Sequence, residues 1–311
     1  MKVQTAVALV FFFCAGLFFA RTGPSKDKAK GPDFGIVLLA HGGRVRTWNE
    51  EVRHVADRVD LSIPTEVAFG MATRRTMQEA VDRLTAWGVT EIIAVPLFVS
   101  SHSSVITSIR YLLGLEKVMP KDLKMFAGMD HSSTNHSKMD HADLSQTKPL
   151  TSSVPVRMTC ALDHHPLVSK ILLDRAAAIS THAEREVVIL VAHGPVPDEE
   201  NKLWLSDMSL LAEQMKQFSH YAAIQYLTVR DDADDKVRKA AAKQLRERVQ
   251  AVVKDDQTAL IVPLVLSYGG IEDGIRERLK GLNYKIASQG LLPDPRIEEW
   301  VLDVAQKEAS H

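Results

Sequence analysis

Three histidines in this chain close short apolar runs or stand in the turn just beyond one. His41 follows the run in FGIVLLAHGG (34–43), and His193 the run in EVVILVAHGP (186–195). His102 lies in the turn of TEIIAVPLFVSSHSSVI (90–106). Imidazole has an unperturbed pKa near neutrality, so one side chain can lend a metal its lone pair and also accept a proton. It is a borderline ligand suited to cobalt, nickel, iron or zinc. His41 and His102 are the candidate catalytic and metal-binding pair. A lone histidine after a strand is more often a hydrogen-bonded structural residue, and His193 is read that way, with a contact to substrate as the alternative. Arg44, Arg46 and Asn49 follow the His41 turn and are candidate contacts for substrate carboxylates, which arginine binds well; the plainer alternative is solvent exposure. His164 and His165 precede Pro166, where a polar side chain caps a helix or faces a cleft, and capping or exposure is the reading adopted.

A second group of ligand types is crowded together. Met125, Met129, His131, His136, Met139 and His141 fall within 17 residues, and the triplet MDH occurs twice. Thioethers with imidazoles suit soft ions, copper(I) above all. This tract is a candidate accessory metal loop that captures or buffers metal. The alternative is a solvated loop rich in histidine by chance, against which the repeated triplet weighs.

The elements that must position these residues repeat. The two Ala-His-Gly segments lie about 150 residues apart, and a second pair follows in the same order: the segment carrying His102 and TALIVPLVLSYGGIEDGI (258–275), each an apolar strand running into Pro-Leu and a polar turn. ALDHHPLVSKILLDRA (161–176) and LLPDPRIEEWVLDVA (291–305) form a third pair. Three ordered matches indicate an internal duplication. Helix-like stretches such as RTMQEAVDRLTAWG and DDKVRKAAAKQLRERVQAVV lie between the strands. Strands alternating with amphipathic helices predict an α/β fold of two duplicated parallel-sheet lobes, with helices on both faces of each sheet. Lobe one is expected over 34–183 and lobe two over 184–308. Ligands of such sheets bind beyond the carboxyl ends of the strands, which puts His41 and His102 at one end of lobe one. Gly269 and Gly270 stand where lobe one has His102. Residues 121–150 have no counterpart in the second half, contain few branched aliphatics and are expected to form a mobile loop leaving from the opposite edge.

At the N-terminus, Lys2 precedes an unbroken apolar run over residues 6–20, followed by Arg21 and a polar stretch containing Pro and Gly. Residues 1–30 are read as an export signal. Fifteen apolar residues are fewer than the roughly 20 of a comfortable membrane span, so a cleaved signal and a short anchor through residues 6–20 both remain open, with the rest of the chain outside the cytoplasm. With 311 residues, 45% of them hydrophobic and 25% charged, the chain has material for two ordinary domains. A formal net charge of −1 gives no reason to expect nucleic acid as a partner. Cys14 and Cys160 are the two cysteines, the first inside the apolar run, so a mature chain has no internal disulfide available. The turn SYGGIEDGI lacks the lysine and the spacing of a phosphate loop.

The repeated strand-Ala-His-Gly turn, the Pro-Leu-Phe-Val strand end with His102 beyond it and the DHHPLV stretch resemble the class II tetrapyrrole chelatases, the sirohydrochlorin cobaltochelatase family of CbiX type. The resemblance spans about residues 34–304 as two family-type lobes. It implies that His41 and His102 bind an incoming divalent metal, cobalt first, with nickel, iron or copper as alternatives. It also implies that they help remove the pyrrole protons of a sirohydrochlorin-like substrate, with no prosthetic group. Three departures stand out. Pro96 and His102 are closer than the family pattern, Met71 in AFGMAT replaces a glutamate, and lobe two lacks the histidine pair. The competing reading is an exported metal-binding or carrier protein that keeps the fold without catalysis. Oligomeric state is not legible in the sequence.

Overall fold

The computed structural model describes residues 33–127 and 144–311. Its first half runs β1 (Gly35–Ala40), α1 (Arg46–Asp60), β2 (Thr65–Phe69), α2 (Arg74–Ala86), β3 (Ile92–Pro96), α3 (Ser104–Leu112), α4 (Leu123–Ala127), β4 (Val156–Met158) and α5 (Pro166–Ala177). The second half runs β5 (Glu186–Ala192), α6 (Asp198–Gln217), β6 (Ala223–Thr228), α7 (Asp235–Lys254), β7 (Thr258–Leu264), α8 (Ile271–Arg278), β8 (Lys285–Ile286) and α9 (Pro295–Ala309). The strands form two parallel sheets of the same order, β2-β1-β3-β4 and β6-β5-β7-β8.

The central strands are continuous apolar runs because they are covered on both faces. Every residue of β1 and β5 is buried. Alternate side chains point to opposite faces, and the two sets separate cleanly. Ile36, Leu38 and Ala40 join Val188, Leu190 and Ala192 in one central core. Val37 and Leu39 face an outer core with α2 and α3, and Val187, Ile189 and Val191 face another with α7 and α8. The two sheets thus share a middle layer of helices, α1, α5, α6 and α9, which supply Val52, Ile171, Leu211 and the fully buried Trp300.

The middle layer is exchanged between the lobes. α5, which ends the first half, packs on β7 and α6, whereas α9, which ends the chain, packs on β3 and α1. Arg175 of α5 fastens this crossing by donating to the carbonyls of Gly290 (2.8 Å) and Pro293 (3.0 Å). The two sheets are therefore built from successive halves of the chain, while each sheet draws one covering helix from the other half. Apolar side chains of this size each contribute about 1.5–3 kcal/mol on burial, so neither sheet can lose the borrowed helix cheaply.

The expectation of a mobile loop over residues 121–150 is corrected at both ends. Leu123 and Phe126, one turn apart on α4, are buried in the outer core of lobe one. On the far side, Leu150 N donates to Leu112 O (2.7 Å), and Arg74 Nε donates to Lys148 O (2.9 Å). Few apolar residues are present, but their spacing suffices to dock both flanks. The attachment points, Leu112 and the residues before β4, lie at the edge where the strands begin, opposite the His41 and His102 turns. Met125 is exposed on α4. Met129, His131, His136, Met139 and His141 lie outside the described residues, as does the apolar N-terminal run. Among the described residues, no helix is long and apolar enough to cross a membrane.

Candidate active site

β1 and β3 are neighbours in the first sheet, with Leu39 opposite Pro96. His41 comes two residues beyond Leu39 and His102 six beyond Pro96, so both leave the carboxyl edge of adjacent strands. Open α/β sheets bind ligands at this edge.

The His41 turn is held by its neighbours. Gly42 takes a positive φ of 79°, a conformation that side chains disfavour. Asn49, on α1, clamps the next residue twice: its Oδ1 accepts from Gly43 N (2.9 Å) and its Nδ2 donates to Gly43 O (2.8 Å). The amide predicted to meet substrate is thus engaged in fixing the turn. His41 itself is exposed, with Nδ1 against Gly42 O. Arg44 is exposed on the same turn, and Arg46 pairs with Glu50 at the surface (2.8 Å). Trp48 packs on Gly43 and lies 3.5 Å from where a Cβ on Gly269 would stand. The His41 turn therefore faces the glycine turn of lobe two.

The His102 loop is pinned from both lobes. Within lobe one, Ser101 Oγ donates to Asp163 Oδ2 (2.8 Å), Ser100 Oγ accepts from His102 N (3.1 Å), and Ser103 caps α3. From lobe two, Trp204 Nε1 donates to His102 O (2.7 Å). The imidazole is partly exposed, with Nε2 3.7 Å from Asp207 Oδ2.

The adjacent histidines divide between two roles. His165 caps α5 by accepting from Leu167 N (3.2 Å), and burial lowers its pKa. His164 is half-exposed and turns to Asp207 instead, Nδ1 to Oδ1 at 2.9 Å. Met71 is half-buried against the outer core of lobe one. His193 follows β5 as His41 follows β1, again before a glycine of positive φ (75°), and its Nε2 is 3.4 Å from the exposed Asp232 Oδ2.

Sequence reasoning missed Trp204 and Asp207, which reach the His102 loop from α6, and it missed the structural role of Asn49. A signal for Asn49 exists: His41–Asn49 and His193–Asn201 have the same spacing of eight. Asn201 accepts instead from Thr228 Oγ1 at the end of β6 (2.7 Å). Among the described residues, no three His, Cys, Asp or Glu side chains converge on one point at metal-ligand spacing. Two surface concavities, of about 330 Å³ beside Trp87 and about 200 Å³ beside Arg278, lie away from both histidines.

The chain is similar along most of its length to two solved structures. SirB from Bacillus subtilis with Fe3+ superposes with a TM-score of 0.62 at 17% identity, covering 89% of this chain and 96% of that one. The sirohydrochlorin chelatase SirB from Bacillus subtilis subspecies spizizenii in complex with cobalt gives 0.58 at 15% identity, with the same coverage. The two-sheet architecture is the class II chelatase fold. Within it, residues 35–179, a little under half of the chain, match the family model described as CbiX. A curated relative, the sirohydrochlorin cobaltochelatase of Methanothermobacter thermautotrophicus, is 32% identical over 87 residues, 27% of this chain. The chain spans about three fifths of that relative's length (61%).

Proposed function

We propose that this protein inserts a divalent metal ion into a sirohydrochlorin-like tetrapyrrole in the cleft between its lobes, with His41 and His102 receiving the metal. The observation that carries the reading is the emergence of both imidazoles from adjacent strand ends in the lobe that matches CbiX. Each neutral ring offers a divalent cation a lone pair. As the metal enters the macrocycle, two pyrrole N–H bonds are replaced by metal–nitrogen bonds, and two protons leave to the imidazoles and then to solvent. Oxidation states do not change, so no redox cofactor is required. Cobalt is the first metal to test because the curated relative is named a cobaltochelatase; nickel, iron and copper follow. The exposed Arg44 on the His41 turn would meet a substrate carboxylate, and the apolar run at residues 6–20 supports a site of action outside the cytoplasm.

The test is an absorbance assay with purified protein, sirohydrochlorin and each metal in turn. The expected result is a metal-dependent shift of the tetrapyrrole spectrum, lost in His41→Ala. Saturable metal binding without a spectral shift would overturn insertion and identify a carrier.

A further inference from the structure

Lobe two has glycine where lobe one has His102, yet it reaches that histidine through α6. Glu200, Trp204, Asp207, Leu211 and Gln214 recur at helical spacing and form one face of α6. Along this face Glu200 accepts from Ser104 Oγ (3.0 Å), Trp204 donates to His102 O, and Gln214 Nε2 donates to His164 O (2.9 Å). Asp207 sits in the middle of these contacts, buried to 8% exposure. Its ion-pair partners are His102 and His164, both from the other half of the chain.

The two oxygens of Asp207 are used differently. Oδ1 is 2.9 Å from His164 Nδ1, a full hydrogen bond. Oδ2 is 3.7 Å from His102 Nε2 and 3.5 Å from Ser100 Oγ. A nitrogen and an oxygen 3.7 Å apart are too far for a strong hydrogen bond. They are well separated for two ligands of one cation: with metal–ligand bonds of about 2.1 Å, the donor atoms lie about 3.4 Å apart at a tetrahedral angle and at most about 4.2 Å. A carboxylate this buried also calls for a countercharge. Ligating carboxylates are characteristically fixed by a second hydrogen bond, which His164 supplies.

We propose that Asp207 is a carboxylate ligand of the incoming metal, supplied by lobe two to a cation bound on His102, and that His164 is the positioning residue that aims it. The inference rests on the reading of His102 as a metal-receiving residue. It makes the site a joint product of both lobes.

The experiment uses the full chain and Co2+ alone, read by calorimetry and by the cobalt d–d absorption band, with His102→Ala as the baseline for cobalt bound elsewhere. Asp207→Asn keeps the shape and removes the charge. It is expected to weaken Co2+ binding by about 10-fold or more and to move the d–d band toward the baseline. His164→Ala is expected to weaken binding less and to keep the band position. Native affinity and a native band in Asp207→Asn would overturn the proposal. If that variant does not fold, Asp207→Glu takes its place, with a displaced band expected and an unchanged one overturning it. A native chain that binds Co2+ through Asp207 but never shifts the tetrapyrrole spectrum would refute insertion and leave this inference standing. Insertion by native and Asp207→Asn chains of equal Co2+ affinity would do the reverse.

Discussion

The two lobes share a strand order, a strand-histidine-glycine turn and an asparagine eight residues beyond the histidine, and they differ where chemistry is expected. Six residues beyond Pro96 stands His102; six beyond Pro263, which occupies the matching register, stands Gly269. Lobe two ties its own turn down differently. Arg230 donates from Nε to Pro195 O (3.2 Å) and pairs with Asp198 (2.8 Å). What lobe two contributes instead is α6, laid against the loop that carries His102. A lobe that lacks the histidine pair serves here as the scaffold of the lobe that keeps it.

The sharpest way to break this contrast is to treat the lobes alike. His102→Ala is expected to reduce insertion at least about 100-fold, the scale of a lost acid–base group, with little change in melting temperature because the imidazole is partly exposed. His193→Ala, which loses a surface contact to Asp232, is expected to stay within about threefold of native activity. Steady-state rates of the two variants decide the matter, and equal losses would show that both lobes carry the chemistry.

The glycines of the two turns extend the contrast to stability. Both have positive φ, but a Cβ on Gly42 would meet nothing nearer than Phe69 Cβ at 3.6 Å. One on Gly194 would stand 2.5 Å from Thr228 Cβ and 2.9 Å from Asn201 Oδ1. Gly42→Ala is expected to cost about 1–2 kcal/mol, the backbone strain alone. Gly194→Ala adds collisions with buried groups and is expected to cost about 3 kcal/mol or more. Urea midpoints measure both, and equal costs would mean that the lobe-two turn is no tighter than its counterpart.

Much of this asymmetry is written locally in the chain. The unbroken apolar runs of β1, β5 and β7 announce strands buried on both faces, and the Pro-Leu pair in each half aligns the turns that follow, so the His102-for-glycine difference is legible from sequence. The Asn49–Asn201 correspondence is legible too, through its spacing. The exchange of α5 and α9 is not, because each helix has an apolar side fit for either sheet and only the packed middle layer decides. Asp207 gives no signal, since its partners lie 43 and 105 residues away and an aspartate within a helix is ordinarily a solvated one. The docked flanks of residues 121–150 were masked by composition: the average is polar, while Leu123 and Phe126 act through position.

A pH-dependent effect is expected at the opposite end of the sheets, where the strands begin. Counting back from Ala40 and Ala192, the half-buried Phe34 of lobe one matches Glu186 of lobe two, whose side chain is 1% exposed. Burial by itself would raise the Glu186 pKa. It is outweighed by hydrogen bonds from the Ser180 hydroxyl, from the Thr181 amide (2.9 Å) and hydroxyl (3.1 Å) and from the Lys285 ammonium (3.3 Å), which hold the carboxyl down at about 2. A carboxyl depressed from its ordinary 4.5 stabilises the fold fully above pH 4.5 and loses that contribution as pH falls toward about 2. Glu186→Gln cannot carry the charge. It is expected to cost about 2 kcal/mol at neutral pH and to flatten the decline in stability between pH 4.5 and 2, with insertion at neutral pH unchanged because the site lies at the other edge. Urea titrations of both proteins across that range provide the check. Parallel declines would show that the ionic base of lobe two does no more for the fold than the apolar base of lobe one.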